Sequence, residues 1–313
     1  MGDTISRRKA LGMMTATLAL PLLGCREDLF APQQTASLAS VDTGPFTLIG
    51  AGDPHAKLNN GNAERVGRLI KTMLDGNPGA RAFALGDVTA FGTPEEFALY
   101  DRAWGAFKDV TDFQVGNHDF LTDSTGTPYY DYAGEAAGPR GKGYYAKTYG
   151  SWRGYYLNSM RNLAEQTAWL QADLPQWAGY HIYAMWHHPL FASVCAHHGR
   201  AMTFPKQVGP WWQLLQDHGA EFVVSGHVHR YERFPRMLRD GTASDAGIRQ
   251  FVLGTGGAKP MEILSVHPRS ERQFVTRGVT KFVLHADRYE WQFTDVAGVV
   301  RDSGSQACRV SAA

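Results

Sequence analysis

The chain has 313 residues, 43% hydrophobic and 19% charged, and its 31 Lys and Arg against 30 Asp and Glu leave a formal net charge of +1. That composition suits a folded core and excludes a disordered or collagen-like chain, while the near-neutral balance argues against nucleic acid, which calls for a basic face. Three cysteines are too few for a disulfide framework, so packing must hold the core together.

In chain order, residues 1–24 read as an export signal. Arg7, Arg8 and Lys9 precede a largely apolar run from Leu11 to Gly24, shorter than the roughly 20 residues a membrane-spanning helix needs. Ser6-Arg7-Arg8 resembles a twin-arginine signal, and Leu22-Leu23-Gly24-Cys25 resembles a bacterial lipobox. On that reading Cys25 carries a lipid that anchors the chain to the membrane of the cell envelope, the alternative being an ordinary cleaved secretory signal. Residues 25–44 are polar and rich in small side chains, as in a tether. No second linker, repeat or low-complexity block follows, so residues 45–313 are expected to form one domain.

Short apolar runs in that domain repeatedly end in polar clusters. Phe46–Ala51 leads into Gly52-Asp53-Pro54-His55, Arg81–Leu85 into Gly86-Asp87, and Phe113–Val115 into Gly116-Asn117-His118-Asp119. His181–Trp186 leads into His187-His188-Pro189, Phe222–Ser225 into Gly226-His227-Val228-His229, and Phe251–Leu253 into Gly254-Thr255-Gly256-Gly257. Each has strand length and a Gly or Pro boundary, as buried parallel strands do. Helical spacing marks 62–75, 94–107, 165–177 and 209–218, with Thr93 placed to cap and Pro94 to open the second. Lys281–Ala286 and Tyr289–Phe293 read as an antiparallel hairpin. The alternation predicts an α/β layered fold with its polar clusters along one edge.

Those clusters supply Asp, Asn and His at strand ends, the oxygen and imidazole donors that borderline first-row metals accept. One such cluster is ordinarily structural. Five in order point to a metal site.

The motifs 52–55, 86–87, 116–119, 187–189 and 226–229 resemble the ordered motifs of the calcineurin-like metallophosphoesterases. Continuation of the last as Arg230-Tyr231-Glu232-Arg233, then Gly254-Thr255-Gly256-Gly257, is similar to the purple-acid-phosphatase branch. Gly141–Tyr145, Leu157–Ser159, Trp169-Leu170 and Trp186–Phe191 strengthen the likeness, which spans about residues 46 to 260. The resemblance implies an α/β fold, a layered β-sandwich flanked by helices, with the metal site at the strand C-terminal ends. It implies one cation held by Asp53, His55, Asp87 and His229, and a second held by Asp87, Asn117, His187 and His227, with Asp87 shared. The implied reaction is hydrolysis of a phosphate monoester by a metal-bound hydroxide, with His118 protonating the leaving group; the alternative for His118 is a brace.

The sequence departs from the purple enzymes at three positions. Ala90 stands where they carry a ligand Tyr, and His55 stands where they carry Gly, so Fe, Mn or Zn in divalent pairs fit as cofactors. Asp119 replaces their usual Glu, with reach enough to orient a neighbouring His. His188, His197, His198 and Tyr231 are candidate substrate contacts, against the alternative of hydrogen-bonded loop residues, whereas Glu232 and Arg233 read as braces. Tyr129–Tyr132, Arg140 and Lys142 fall in a Gly-rich loop that either lines the entrance or is merely solvated. Cys195 and Cys308 are either paired or free. The expected partners are a phosphate-ester substrate and, through Cys25, a membrane; no protein partner is inferred. A phosphodiesterase acting on nucleotides or lipid headgroups, and a catalytically inactive surface binding module, are the rival readings.

Overall fold

The computed structural model describes residues 44–57, 61–197, 200–201 and 206–309. The export signal, Cys25 and nearly all of the tether expected from the sequence lie outside the described residues, as does His198. Among the described residues no helix is long and apolar enough to cross a membrane.

The first half begins with β1 (Phe46–Ala51), α1 (Gly61–Asp75), β2 (Arg81–Leu85), α2 (Pro94–Trp104) and β3 (Thr111–Gln114), the alternation expected from the sequence. Then come α3 (Thr127–Ala133), β4 (Tyr145–Tyr149), β5 (Trp152–Tyr156), α4 (Leu163–Asp173) and β6 (His181–Trp186). Two short strands, β7 (Val194–His197) and β8 (Arg200–Ala201), precede α5 (Gly209–Asp217), β9 (Phe222–Ser225), β10 (Tyr231–Met237) and β11 (Ile248–Leu253). The chain closes with β12 (Ile263–Ser265), β13 (Arg272–Phe274) and the meander β14 (Gly278–Leu284), β15 (Arg288–Asp295) and β16 (Val300–Ala307).

These strands build two large sheets. One runs β16-β15-β14-β1-β2-β3 and the other β13-β10-β11-β9-β6-β5-β4. β1, β2 and β3 are mutually parallel, and so are β5, β6, β9 and β11. Alternate residues of one strand point to opposite faces, and that alternation sorts the core. Leu48, Phe83, Leu85, Tyr183, Met185, Val224 and Phe282 meet between the sheets. Their neighbours Ile49, Ala82 and Ala84 face the other way, onto α1 and α2 through Val66, Ile70, Phe97 and Tyr100. Ile182, Ala184 and Trp186 likewise pack on α4 and α5 through Leu170, Trp211 and Trp212. The result is a β-sandwich covered by helices on both outer faces.

Local signals hold where they were strong. The Thr93 side chain accepts from the Glu96 N–H at 3.3 Å and Pro94 opens α2, although the helix stops at Trp104 and tightens into 3₁₀ turns over Gly105–Val110. Residues 129–132 correct the expectation of an entrance loop. They form α3, with Tyr129 and Tyr130 buried against the cluster of Phe97 and Phe113. Cys195 and Cys308 are free thiols, Cys195 being buried among Val228, Phe234 and Met261.

Candidate metal centre

The turns that leave β1, β2, β3, β6 and β9 all open at the same edge of the sandwich, because parallel strands present their C-terminal ends together. The first two turns also pair with each other: Asp53 N–H donates to Gly86 O at 3.1 Å and His55 N–H to Asp87 O at 3.0 Å. Of the five non-glycine residues with positive φ among those described, four are Asp53, His55, Asp87 and His227. Such backbone costs free energy and persists only where the surroundings over-determine it, typically at functional sites.

Asp87 sits at the centre. Its Oδ2 lies 3.4 Å from His55 Nε2 and 3.2 Å from His187 Nε2, and its Oδ1 accepts the His118 backbone N–H at 2.8 Å. Asp53 and His229 complete one side, with Oδ1 and Nε2 3.5 Å apart. Asn117 and His227 complete the other: Asn117 Oδ1 is 3.2 Å and His227 Nδ1 3.3 Å from His187 Nε2. All seven side chains expected as ligands therefore converge, in two sets that share Asp87. Glycines make the room. A Cβ on Gly116 would fall 2.2 Å from Asp87 Oδ1, and one on Gly226 would fall 2.6 Å from Asp53 Oδ2.

The donors are oriented from behind. His187 Nδ1 donates to Leu85 O at 2.8 Å and His229 Nδ1 to Lys259 O at 2.9 Å, because a carbonyl can only accept. In the neutral rings this leaves both Nε2 lone pairs facing the centre, as a metal-ligating histidine requires. His229 Nε2 then meets Asp53 Oδ1, a buried oxygen that makes no hydrogen bond. Lone pairs aimed at one another in a buried space call for a cation between them, so the residues fit a pair of metal ions. The charges agree. Burial works against an ionised Asp87, but His187 and the other nearby imidazoles hold its carboxyl well below the usual carboxylate range. Burial alone would lower His187, yet Asp87 and Asp53 overcome it and raise the imidazole to about 9, so the surroundings favour a positive charge at this point, carried by a proton or by a metal ion.

A calcineurin-like phosphoesterase family model matches residues 46–231. The chain belongs to that family. Among curated relatives, the chain is 33% identical over 101 residues to Purple acid phosphatase 15 of Arabidopsis thaliana, covering 30% of this chain and 18% of that protein. It is 25% identical over 177 residues to Purple acid phosphatase 23 of the same plant, covering 50% and 37%. The chain thus spans well under half the length of either. Among solved structures, the purple acid phosphatase PPD1 from yellow lupin (Lupinus luteus) seeds superposes with a TM-score of 0.68 at 17% identity, over 88% of this chain and 55% of that one.

His118 stands beside the shared carboxylate of the candidate metal site, its Nε2 3.9 Å from Asp87 Oδ2 and its side chain 23% exposed. Its Nδ1 donates to Ala90 O at 2.6 Å. The residue expected to orient it, Asp119, does something else: its carboxyl accepts the backbone N–H groups of Gly116 at 2.9 Å and Thr89 at 3.2 Å. Burial, with Asp87 nearby, pushes that carboxyl up to about 8. Sequence reasoning missed the Ala90 carbonyl because any residue carries one.

The four candidate substrate contacts fare differently. His188 lies at the centre, offering a ring nitrogen within 4.8 Å of one on each of His187 and His227. His197 is described only as the last residue of the β7 backbone, and His198 is outside the described residues. Tyr231 is a correction. It is buried in the inter-sheet core, where its hydroxyl donates to Asp302 at 2.6 Å and its ring stacks on Phe293. The next in-register position explains it: Tyr231 and Arg233 point to the same sheet face, and Arg233 Nε also donates to Asp302 at 2.7 Å. Glu232 faces the other way and pairs with the buried Arg230 at 2.8 Å.

A third group, His181, Glu221 and Cys308, also brings donor atoms within 4.8 Å of one another. Glu221, however, is ion-paired with Arg236 and accepts the Arg309 backbone N–H at 2.6 Å. The Arg236 guanidinium against the carboxylate, and that of Arg309 with its Nε 3.9 Å away, oppose a further positive charge there.

Proposed function

We propose that this chain is a dinuclear metal-dependent phosphatase that hydrolyses phosphate monoesters. The observation that carries the reading is the place of Asp87, whose single carboxylate oxygen lies within 3.4 Å of imidazole nitrogens from both ligand sets. Asp53, His55, Asp87 and His229 would hold one ion, and Asp87, Asn117, His187 and His227 the other. Mn, Zn or Fe suits this mixture of imidazole and oxygen donors. When bound, two divalent cations supply the charge that lowers the pKa of a water and polarises phosphoryl oxygens.

The chain's own residues do the rest. Asp87 offsets the repulsion between two cations while the carbonyls of Leu85 and Lys259 keep the imidazoles of His187 and His229 facing inward. With Nδ1 fixed on the Ala90 carbonyl, a protonated His118 presents its second proton at Nε2, on the side of Asp87 and of any ester bound there. It passes that proton to the departing oxygen, and the ring returns to neutrality. The same donor set with His118 in place supports turnover over a surface module that merely binds. The purple acid phosphatases among the relatives favour the monoester over the diester. Export and a lipid anchor at Cys25 remain part of the proposal on the strength of the N-terminal sequence.

The test is turnover of p-nitrophenyl phosphate against bis(p-nitrophenyl) phosphate after loading with Mn, Zn or Fe. Faster monoester hydrolysis is expected; diester turnover far above it would overturn the substrate class.

A further inference from the structure

His188 follows a proposed ligand directly and shares a 4.8 Å cluster with His187 and His227, so by proximity alone it reads as one more nitrogen for the second ion. Its hydrogen bonds say otherwise. The Ser159 hydroxyl oxygen accepts the His188 backbone N–H at 3.1 Å and lies 2.9 Å from His188 Nδ1. That buried hydroxyl has no other acceptor among the described residues, so it turns its own proton to the ring, and Nδ1 accepts it. The neutral imidazole then carries its hydrogen on Nε2. An N–H corner cannot ligate a cation without losing its proton, but it can donate to an oxyanion.

Ser159 is itself held. It is buried, and Gln207 Nε2 donates to its backbone carbonyl at 2.6 Å. Asn158, the residue before it, is fixed through two bonds with Gln166, the Asn158 N–H donating at 2.8 Å and the Gln166 amide returning at 2.9 Å. His188 is buried too, and its ring centroid lies 4.3 Å from that of His227, on the side of the second ligand set. Its Nε2 has no partner among the described residues. That nitrogen is therefore free to donate to a ligand that enters the site.

The geometry points to Ser159–His188 as an oxyanion-positioning pair: the serine locks the tautomer, and His188 Nε2–H donates to a phosphoryl oxygen of the substrate beside the second ion. This rests on the dinuclear reading above. It makes His188 a contact to phosphate and Ser159 a positioning residue.

The test compares His188→Leu, His188→Gln and Ser159→Ala with the parent protein after loading with Mn. It measures bound metal per chain, the inhibition constant of inorganic phosphate, and kcat and KM. All variants are expected to hold the same two ions per chain as the parent. His188→Leu should weaken phosphate by about tenfold to a hundredfold, the range for one hydrogen bond to a charged group. Gln, whose amide N–H falls near the position of Nε2, should recover most of that loss, and Ser159→Ala should fall between. Loss of one ion in His188→Leu would make it a ligand and overturn the inference; so would an unchanged phosphate constant in His188→Leu and Ser159→Ala. If the parent itself bound no metal, the dinuclear reading would fail instead, before any variant was compared.

Discussion

Replacing His118 by Ala separates chemistry from metal binding. The side chain is 23% exposed and its one hydrogen bond, to Ala90 O at 2.6 Å, contributes about 1 kcal/mol to stability, so the fold survives. The backbone N–H that supports Asp87 at 2.8 Å is retained, so both ligand sets keep their positions and the metal content should not change. What disappears, on the proposed mechanism, is the proton for the leaving oxygen. General-acid catalysis is typically worth 10²–10⁴-fold, about 3–5 kcal/mol of barrier, and its value depends on how badly the leaving group needs the proton. Single-turnover rates should be measured for a series from p-nitrophenyl phosphate, whose leaving group is stable as an anion, to simple alkyl phosphates. The expected loss in kcat is about tenfold for the first and about 10²–10³-fold for the last, giving the variant a steeper dependence on leaving-group basicity. Unchanged turnover, or an equal loss across the series, would remove His118 from the acid role. Loss of metal would make it a brace.

Three further outcomes follow from named contacts. Gly226→Ala places a Cβ 2.6 Å from Asp53 Oδ2 and 2.7 Å from Leu85 O; metal affinity should fall at least about tenfold, with about 1–3 kcal/mol lost from stability, read by metal titration and thermal melting. Asp302→Asn removes the charge that holds Tyr231, Arg233 and Trp291 together and should cost about 3 kcal/mol at pH 7. Burial opposes ionisation of Asp302, but Arg233 and Tyr231 hold its pKa below the ordinary value. Its contribution is therefore complete above about pH 4 and is lost as the pH falls from there through the lowered native value, so the gap between parent and variant should close in acid. Chelation of the metal-loaded protein should lower Tm by about 5 °C or more, since ligand at a hundredfold its dissociation constant adds about 2.7 kcal/mol to the native state. An unchanged Tm would argue against ions bound to the folded site.

The site was more legible in the sequence than the scaffold that serves it. Strands such as Arg81–Leu85 and Phe222–Ser225 announce themselves as apolar runs cut short by glycine, and each deposits its Asp or His just past its end, so chain order alone collected the donors. Other strands carry no such mark. β16 reads Val300-Arg301-Asp302-Ser303-Gly304-Ser305-Gln306-Ala307, with no apolar alternation, because Asp302 enters the core only as partner to Tyr231 and Arg233. That pairing spans about seventy residues of sequence and misled the reading of Tyr231, which looked available and is buried. α3 hid in a glycine-rich stretch where Tyr129 and Tyr130 face a core built by distant helices. The supports of the donor-bearing edge were invisible for a different reason: the Ala90, Leu85 and Lys259 carbonyls belong to the backbone, and Ser159 reaches His188 from 29 residues away.

Anomalous diffraction from crystals of the Mn-loaded protein addresses the two-ion site most directly. Two peaks are expected, one among Asp53, His55, Asp87 and His229 and one among Asp87, Asn117, His187 and His227, with Asp87 bonded to both. A single peak, or two that do not share Asp87, would contradict it.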